Sequence, residues 1–97
     1  MKTIEEIKTI LLRNKEELKE KFSVHEMALF GSYARGEPSR KSDVDILIEF
    51  HETPGLLKFI RLENYLSDLL GVKVELVTRG ALKPFIGKRI LKEAVRI

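Results

Sequence analysis

The sequence predicts a small α/β (α+β) protein in which helices pack on one face of a mixed β-sheet. Two observations support this prediction. Short apolar or alternating segments bounded by glycine and polar residues predict strands, and longer stretches with apolar residues every three or four positions predict helices. With 97 residues the sequence suffices for one domain, 1–97, and is too short for two domains with separate cores.

The first predicted element is a helix over 3–22. Thr3 and Glu6 match a capping box, in which each side chain satisfies a free backbone N–H at the helix start. The apolar residues of this segment share one helical stripe, with charged residues on the other face. The stripe consists of Ile4, Ile7, Leu11, Leu18 and Phe22, widened by Ile10 and Leu12.

Two strands with a loop between them are predicted next. The apolar segment 24–30 predicts a strand that ends at Gly31, and the polar segment 32–42 predicts a loop with room for one helical turn after Ser32. Residues 43–50 alternate, which is typical of a strand. One face carries Val44, Ile46, Ile48 and Phe50, and the other carries Asp43, Asp45, Leu47 and Glu49.

A second long helix is predicted over 54–70. Thr53 is expected to cap it, Pro54 suits its first turn, and Gly71 suits its end. The residues expected to face inward are Leu56, Phe59, Ile60, Leu66 and Leu70.

The remaining residues predict a third strand over 72–77, a last helix over about 81–93 and a short extended tail over 95–97. The predicted order is therefore αβ(α)βαβα, an arrangement that places helices against a small mixed sheet.

Composition limits the function classes. Eighteen Lys and Arg against fifteen Asp and Glu give a net charge of +3, which suits an anionic ligand such as a nucleotide but does not mark a nucleic-acid binder. The absence of cysteine excludes disulfides and thiolate metal sites. No apolar run approaches the roughly 20 residues of a membrane span, and the first residues lack a signal-peptide core. We therefore expect a cytoplasmic protein without membrane or direct nucleic-acid contacts.

A pair of carboxylates is the first candidate for chemistry. Asp43 and Asp45 lie two residues apart on a predicted strand, so their side chains project from the same face. Carboxylates this close repel each other unless a cation lies between them, and hard oxygen ligands match Mg²⁺. Glu75 on the third strand is a candidate third carboxylate, although Lys73 and Glu75 also fit a solvated strand face. Three carboxylates around one or two metal ions suit nucleotidyl transfer.

The turn after the first strand is the second candidate. Glycine at Gly31 lets the backbone approach a phosphate, and backbone N–H groups with the Ser32 hydroxyl can bind phosphate oxygens. Arg35 is suited to pair either with a phosphate or with an acidic neighbour. Ser42 is suited to support either a phosphate or Asp43.

These residues resemble the signature of the minimal nucleotidyltransferases of the DNA polymerase β-like superfamily. That signature is Gly-Ser, ten residues, then Asp-x-Asp, and here Gly31-Ser32 is followed by residues 33–42 and Asp43-Val44-Asp45. The longer forms Gly-Ser-x-Ala-Arg-Gly and Ser-Asp-x-Asp also match. In the family the third metal ligand is usually an aspartate, whereas this sequence has Glu75, which is longer by one methylene.

The resemblance implies a polymerase β-like nucleotidyltransferase fold and the role of an antitoxin. Stand-alone members pair with a HEPN-type ribonuclease toxin encoded by the adjacent gene, and the resemblance implies transfer of AMP from ATP to a tyrosine hydroxyl of that toxin. Asp43, Asp45 and Glu75 would then be catalytic and would bind magnesium, as two ions. The nucleotide would be bound by Gly31, Ser32, Arg35 and Ser42.

Two other functions stay open from the sequence. The acceptor can be a small molecule, as in antibiotic nucleotidyltransferases, although those carry an added helical domain. Alternatively, the protein is a non-catalytic binding module that neutralises its partner by steric contact. Metal-dependent ATP binding that is lost in Asp43→Asn would separate an enzyme from such a module.

Overall fold

Four strands form one mixed sheet in this computed structural model, which describes residues 2–38, 43–81 and 84–97, without the side chains of 84–86. The strands are β1 (Val24–Phe30), β2 (Val44–Phe50), β3 (Val74–Thr78) and β4 (Val95–Arg96). Their order across the sheet is β3-β2-β1-β4. Strand β1 pairs antiparallel with β2 and β4, whereas β2 pairs parallel with β3. The predicted mixed sheet is confirmed, and the predicted tail forms its short edge strand β4.

Five α-helices and one 3₁₀ turn accompany the sheet in the described residues. They are α1 (Ile4–Arg13), α2 (Lys15–Phe22), α3 (Gly31–Ala34), α4 (Leu56–Leu70), the 3₁₀ turn Arg79–Ala81 and α5 (Pro84–Glu93). None of these helices is long and apolar enough to cross a membrane.

The hydrophobic core lies between one face of the sheet, here called the core face, and helices α1, α2 and α4. The core face presents Met27, Leu29, Ile46, Ile48, Val74 and Leu76, all of which are buried. The helices contribute Ile7, Leu11, Leu18, Leu62, Leu66 and Leu70, which are completely shielded from solvent. The alternate residues of each strand point to the opposite side of the sheet, here called the second face, which is not covered by α1, α2 and α4.

The first predicted helix is in fact two helices. The Thr3–Glu6 capping box is confirmed, with Thr3 Oγ1 accepting from the Glu6 N–H at 3.2 Å. However, helix α1 ends before Asn14, whose side-chain amide donates to the Ile10 carbonyl at 2.8 Å. An asparagine bonded to its own backbone in this way competes with the helical hydrogen bonds. The expectation that Leu12 faces the core is also wrong, since 52% of this residue is exposed.

Helix α4 differs from its prediction at its start. It begins at Leu56 rather than at 54, with Gly55 before it and no side-chain cap, so the predicted role of Thr53 is wrong. Its end is as predicted, at Gly71 in the left-handed conformation. Leu66 and Leu70 are buried as expected, but Leu56 and Ile60 are 73% and 42% exposed. The buried stripe instead runs through Leu62, because residues four apart share a helix face.

Side chains of α4 also hold the edge strand β3. Ser67 Oγ accepts from the Val74 N–H at 2.9 Å, and a carboxylate oxygen of Glu63 accepts from the Leu76 N–H at 3.1 Å. These N–H groups lie on the edge that faces no neighbouring strand, so without the helix they would lack a partner. The position of β3, and with it Glu75, is therefore fixed from both sides.

Candidate active site

The predicted carboxylates Asp43, Asp45 and Glu75 all lie on the second face of the sheet, opposite the core face. Asp45 lies opposite Phe30 of β1 and beside Glu75 of β3 in the strand register. Residues in register on neighbouring strands point to the same face. Asp43 lies immediately before β2 and is two residues from Asp45, so it projects on the same side. The structure thus places Glu75, the candidate third carboxylate, on a neighbouring strand beside Asp45.

Gly31 lets the turn after β1 pack directly against Asp45. Its φ is +75°, a conformation that side chains other than glycine rarely adopt. A Cβ atom at this position would overlap Oδ2 of Asp45 and would lie 3.1 Å from its Cγ. The absence of a side chain at Gly31 is therefore what brings the backbone of this turn into contact with a carboxylate.

Helix α3 begins at this turn, which confirms the predicted helical turn. Phe30, the residue before it, forms no side-chain hydrogen bond that would cap the helix. Ser32 lies in the first turn of α3 and is half-buried. The first N–H groups of such a turn have no partner within the helix, so they remain available to an acceptor beside Asp45.

The electrostatics at Asp45 are those of a crowded acidic site. Burial raises the pKa of the Asp45 carboxyl above its ordinary value, and repulsion from Glu75 and then Asp43 raises it further. The Arg35 guanidinium acts in the opposite direction on this pKa. The folded protein thus holds negative charge at a point where its own surroundings disfavour it, which is the condition that a bound cation relieves.

The three carboxylates do not all converge on one point. Lys73 Nζ lies 4.0 Å from Oδ2 of Asp43, and Glu75 is exposed. In the part of the chain that the structure describes, no three histidine or carboxylate side chains are gathered closely enough to hold a metal ion. Because the structure does not gather these side chains at one point, the metal-binding role of Asp43, Asp45 and Glu75 stays a prediction.

Arg35 and Ser42 are the other two residues that the sequence predicts to bind the nucleotide. Arg35 follows α3, and its Nη1 lies 3.3 Å from a carboxylate oxygen of Glu93 in α5. This exposed ion pair matches the acidic-neighbour alternative, while the effect of Arg35 on Asp45 places its charge near the site. Ser42 lies outside the described residues, so its expected role stays a prediction.

One residue near the site had no signal in the sequence. Glu93 reaches Arg35 only because α5 packs beside α3. It lies in a charged segment that is typical of a solvated helix face. Its position beside Arg35 depends on tertiary packing, which local spacing does not encode.

Comparison with known proteins identifies the family. The family model described as a nucleotidyltransferase domain matches residues 11–97. The protein adenylyltransferase MntA of Thermococcus cleftensis is 54% identical over 97 residues, which cover 100% of this chain and 98% of that protein. A solved structure provisionally described as a minimal nucleotidyltransferase superposes with a TM-score of 0.76 at 34% identity, covering 94% of this chain and 95% of the other.

A more distant structure shares the fold. It is a tri-AMPylated HEPN toxin of Shewanella oneidensis in complex with an MNT antitoxin, matched with a TM-score of 0.67 and 18% identity over 93% of this chain and 70% of that one. The resemblance stated from the motif and the expected fold class are both confirmed. The chain belongs to the nucleotidyltransferase domain family, in its minimal form.

Proposed function

We propose that this protein transfers AMP from ATP to a tyrosine hydroxyl of a HEPN-type ribonuclease encoded by the adjacent gene, with magnesium, and thereby silences that toxin. The reaction would take place in the cytoplasm, where ATP and magnesium are at hand. The observation that carries the proposal is the packing of Asp45 against the Gly31 turn, on the sheet face that also bears Asp43 and Glu75. This packing brings the turn that we expect to bind phosphate next to an acidic cluster.

The donor set fits magnesium. Asp43, Asp45 and Glu75 offer only carboxylate oxygens, the hard ligands that Mg²⁺ takes together with water and substrate phosphates. Burial, and then repulsion from Glu75 and Asp43, raises the pKa of Asp45, and a bound cation would relieve that repulsion. When bound, the metal ions would lower the pKa of the acceptor hydroxyl and neutralise charge on the departing pyrophosphate.

The residues of the turn would bind the triphosphate. The N–H groups of Gly31 and Ser32 would donate to oxygens of the β- and γ-phosphates, and the Ser32 hydroxyl would add a further donor. Arg35 would leave Glu93 to pair with a phosphate, because a phosphate offers the guanidinium two or more charged oxygens. Ser42 would support either the phosphate or Asp43.

The chemical step is an in-line substitution at the α-phosphorus of ATP. The tyrosine oxygen forms a bond to the α-phosphorus while the bond from that phosphorus to the bridging oxygen of the β-phosphate breaks. Pyrophosphate leaves with the bonding electron pair. The hydroxyl proton passes to the Glu75 carboxylate, which is exposed and therefore able to release it to water.

The choice of a protein acceptor rests on the comparisons. The relative from Thermococcus cleftensis is named a protein adenylyltransferase, at 54% identity over the whole of this chain. The Shewanella oneidensis complex contains an AMPylated HEPN toxin. Both favour a protein acceptor over the small-molecule alternative and over a purely steric antitoxin.

The test is the intact mass of the HEPN-type protein after incubation with this protein, ATP and Mg²⁺. We expect a gain of one or more AMP units, and no gain with the Asp43→Asn/Asp45→Asn double variant. Peptide mapping should place the added mass on tyrosine. A stable complex without any mass gain would favour the steric antitoxin instead.

A further inference from the structure

A cavity of about 300 Å³ lies on the second face of the sheet, between the strands and α5. Its floor is formed by Ala28 and Leu47, which oppose each other on β1 and β2 and are both nearly buried. Leu91 of α5 forms part of the opposite wall. This volume is at the small end for a small-molecule site but holds one or two amino-acid side chains.

The cavity and the phosphate-binding turn lie on opposite sides of Asp45. On this face Ala28 lies opposite Leu47, the next pair along the strands is Phe30 and Asp45, and the turn at Gly31 follows. Successive pairs on one face are about 7 Å apart, which is comparable to the length of a tyrosine side chain. A hydroxyl at Asp45 can therefore belong to a residue whose backbone lies at the cavity.

The direction of attack selects the cavity side for the acceptor. In an in-line substitution the attacking oxygen enters opposite the leaving group. The proposed function, on which this inference rests, places the departing pyrophosphate at Gly31 and Ser32. The attacking hydroxyl must then approach Asp45 from the side of Leu47. We propose that the cavity binds the polypeptide segment of the partner that carries the acceptor tyrosine.

The polar groups at the cavity also suit a polypeptide. Arg96 is already paired with Glu26 at 2.6 Å, which leaves Glu49 and Arg79 as the other charged groups of the lining. Neither of these two has an ion-pair partner among the described residues. Together they offer a hydrogen-bond acceptor and a donor, the complement of a peptide N–H and C=O.

Leu91 adds an apolar contact beside these groups. It is 45% exposed although it lines the cavity, so part of its surface is free to pack on a ligand. An apolar side chain next to the acceptor tyrosine would bury that surface. The site would thus bind a segment with an extended backbone and an apolar residue near the tyrosine.

The test uses two cavity variants, each with a matched control. Leu91→Asp is compared with Leu12→Asp, a similarly exposed leucine of α1, and Arg79→Ala with Arg61→Ala, an exposed arginine of α4. Three quantities are measured for each: KM for the HEPN-type protein, KM for ATP, and Kd of the protein complex without ATP. We expect the cavity variants to raise KM and Kd for the partner about tenfold, equivalent to one lost contact of 1.4 kcal/mol. The KM for ATP and both controls should stay within about twofold of the wild type, a change small in free energy.

The outcomes separate this inference from the proposed function. If the cavity variants raise KM for ATP and leave the partner constants unchanged, the cavity binds the nucleoside and the inference is wrong. Unchanged constants throughout would also overturn it. If the wild type transfers no AMP, the proposed function fails, and Kd alone then decides. Weaker complexes of the cavity variants would still establish the cavity as the docking site, whereas equal Kd values would refute it.

Discussion

Replacing Gly31 by alanine tests whether contact between the turn and Asp45 is what makes the site. The substitution has two separable effects. Alanine at a φ of +75° is strained, as it would be at Gly71, whose φ is +69°. Only at Gly31 would the new Cβ also meet Asp45, since nothing lies within 4 Å of a Cβ at Gly71. Gly71→Ala at the end of α4 is therefore the matched control.

The magnitudes follow from these contacts. Strain at positive φ costs about 1–2 kcal/mol, and alanine recovers about 0.4–1 kcal/mol by restricting the unfolded chain. Both variants should therefore lose about 1 kcal/mol of stability, or about 4–8 °C in Tm for a domain of this size. At Gly31 the overlap is relieved when the Asp45 carboxylate rotates away, because Oδ2 is the end of a side chain. That rotation would displace a carboxylate that we propose to be catalytic, and a displacement of about 1 Å costs about 100-fold in rate.

The assay combines thermal unfolding with the rate of AMP transfer to the HEPN-type protein. We expect similar Tm values for Gly31→Ala and Gly71→Ala, and a loss of activity of about 100-fold only for the former. Transfer by Gly31→Ala at a rate within a few-fold of the wild type would show that the contact with Asp45 is dispensable. An equal loss in Gly71→Ala would show that backbone strain alone, and not the site, is being measured.

Four further substitutions test other parts of the site and the attachment of β3 to α4. Asp45→Asn should abolish transfer without lowering Tm at pH 7. The pKa of Asp45 is raised in the folded protein, so ionisation of this carboxyl lowers stability as the pH rises from the ordinary pKa of 3.8 toward the raised pKa. Tm measured against pH should show this decrease for the wild type and not for the variant. Arg35→Ala should raise KM for ATP, whereas Glu93→Ala should not. Each variant should change stability by less than about 1 kcal/mol, because the ion pair between these residues is exposed. Equal KM values for ATP in the two variants would exclude phosphate binding by Arg35. Ser67→Ala should cost about 1 kcal/mol in urea unfolding because the Val74 N–H loses its acceptor, and no loss would mean that α4 does not hold β3.

The sequence predicted the placement of the carboxylates on the sheet better than it predicted the packing of the helices. A strand has a side-chain period of two, so the separation of Asp43 and Asp45 alone places them on one face. The register of β3 then follows from burying Val74 and Leu76, which forces Glu75 onto the face of Asp45. These inferences need only short segments, and the structure agrees with them.

Helix faces are less constrained by the sequence, and the errors lie there. Each residue turns a helix by about 100°, and α4 has apolar residues on more of its circumference than the core can cover. Leu56 and Leu62 are equally apolar, and only the position at which the helix begins and meets the sheet decides that Leu62 is buried. The break at Asn14 has the same origin, since one side-chain hydrogen bond outweighs a continuous helical pattern.

The two faces of the sheet explain why a cluster of carboxylates is tolerated in so small a protein. The apolar residues of the strands are concentrated on the core face, where α1, α2 and α4 bury them and stabilise the fold. The second face is then free to carry Asp45 and Glu75 at a cost to stability, visible in the raised pKa of Asp45. A cation that relieves this repulsion binds the folded state and not the unfolded chain, so it must also stabilise the protein. Magnesium should accordingly raise Tm for the wild type and have little effect on Asp45→Asn, an effect that is independent of any acceptor.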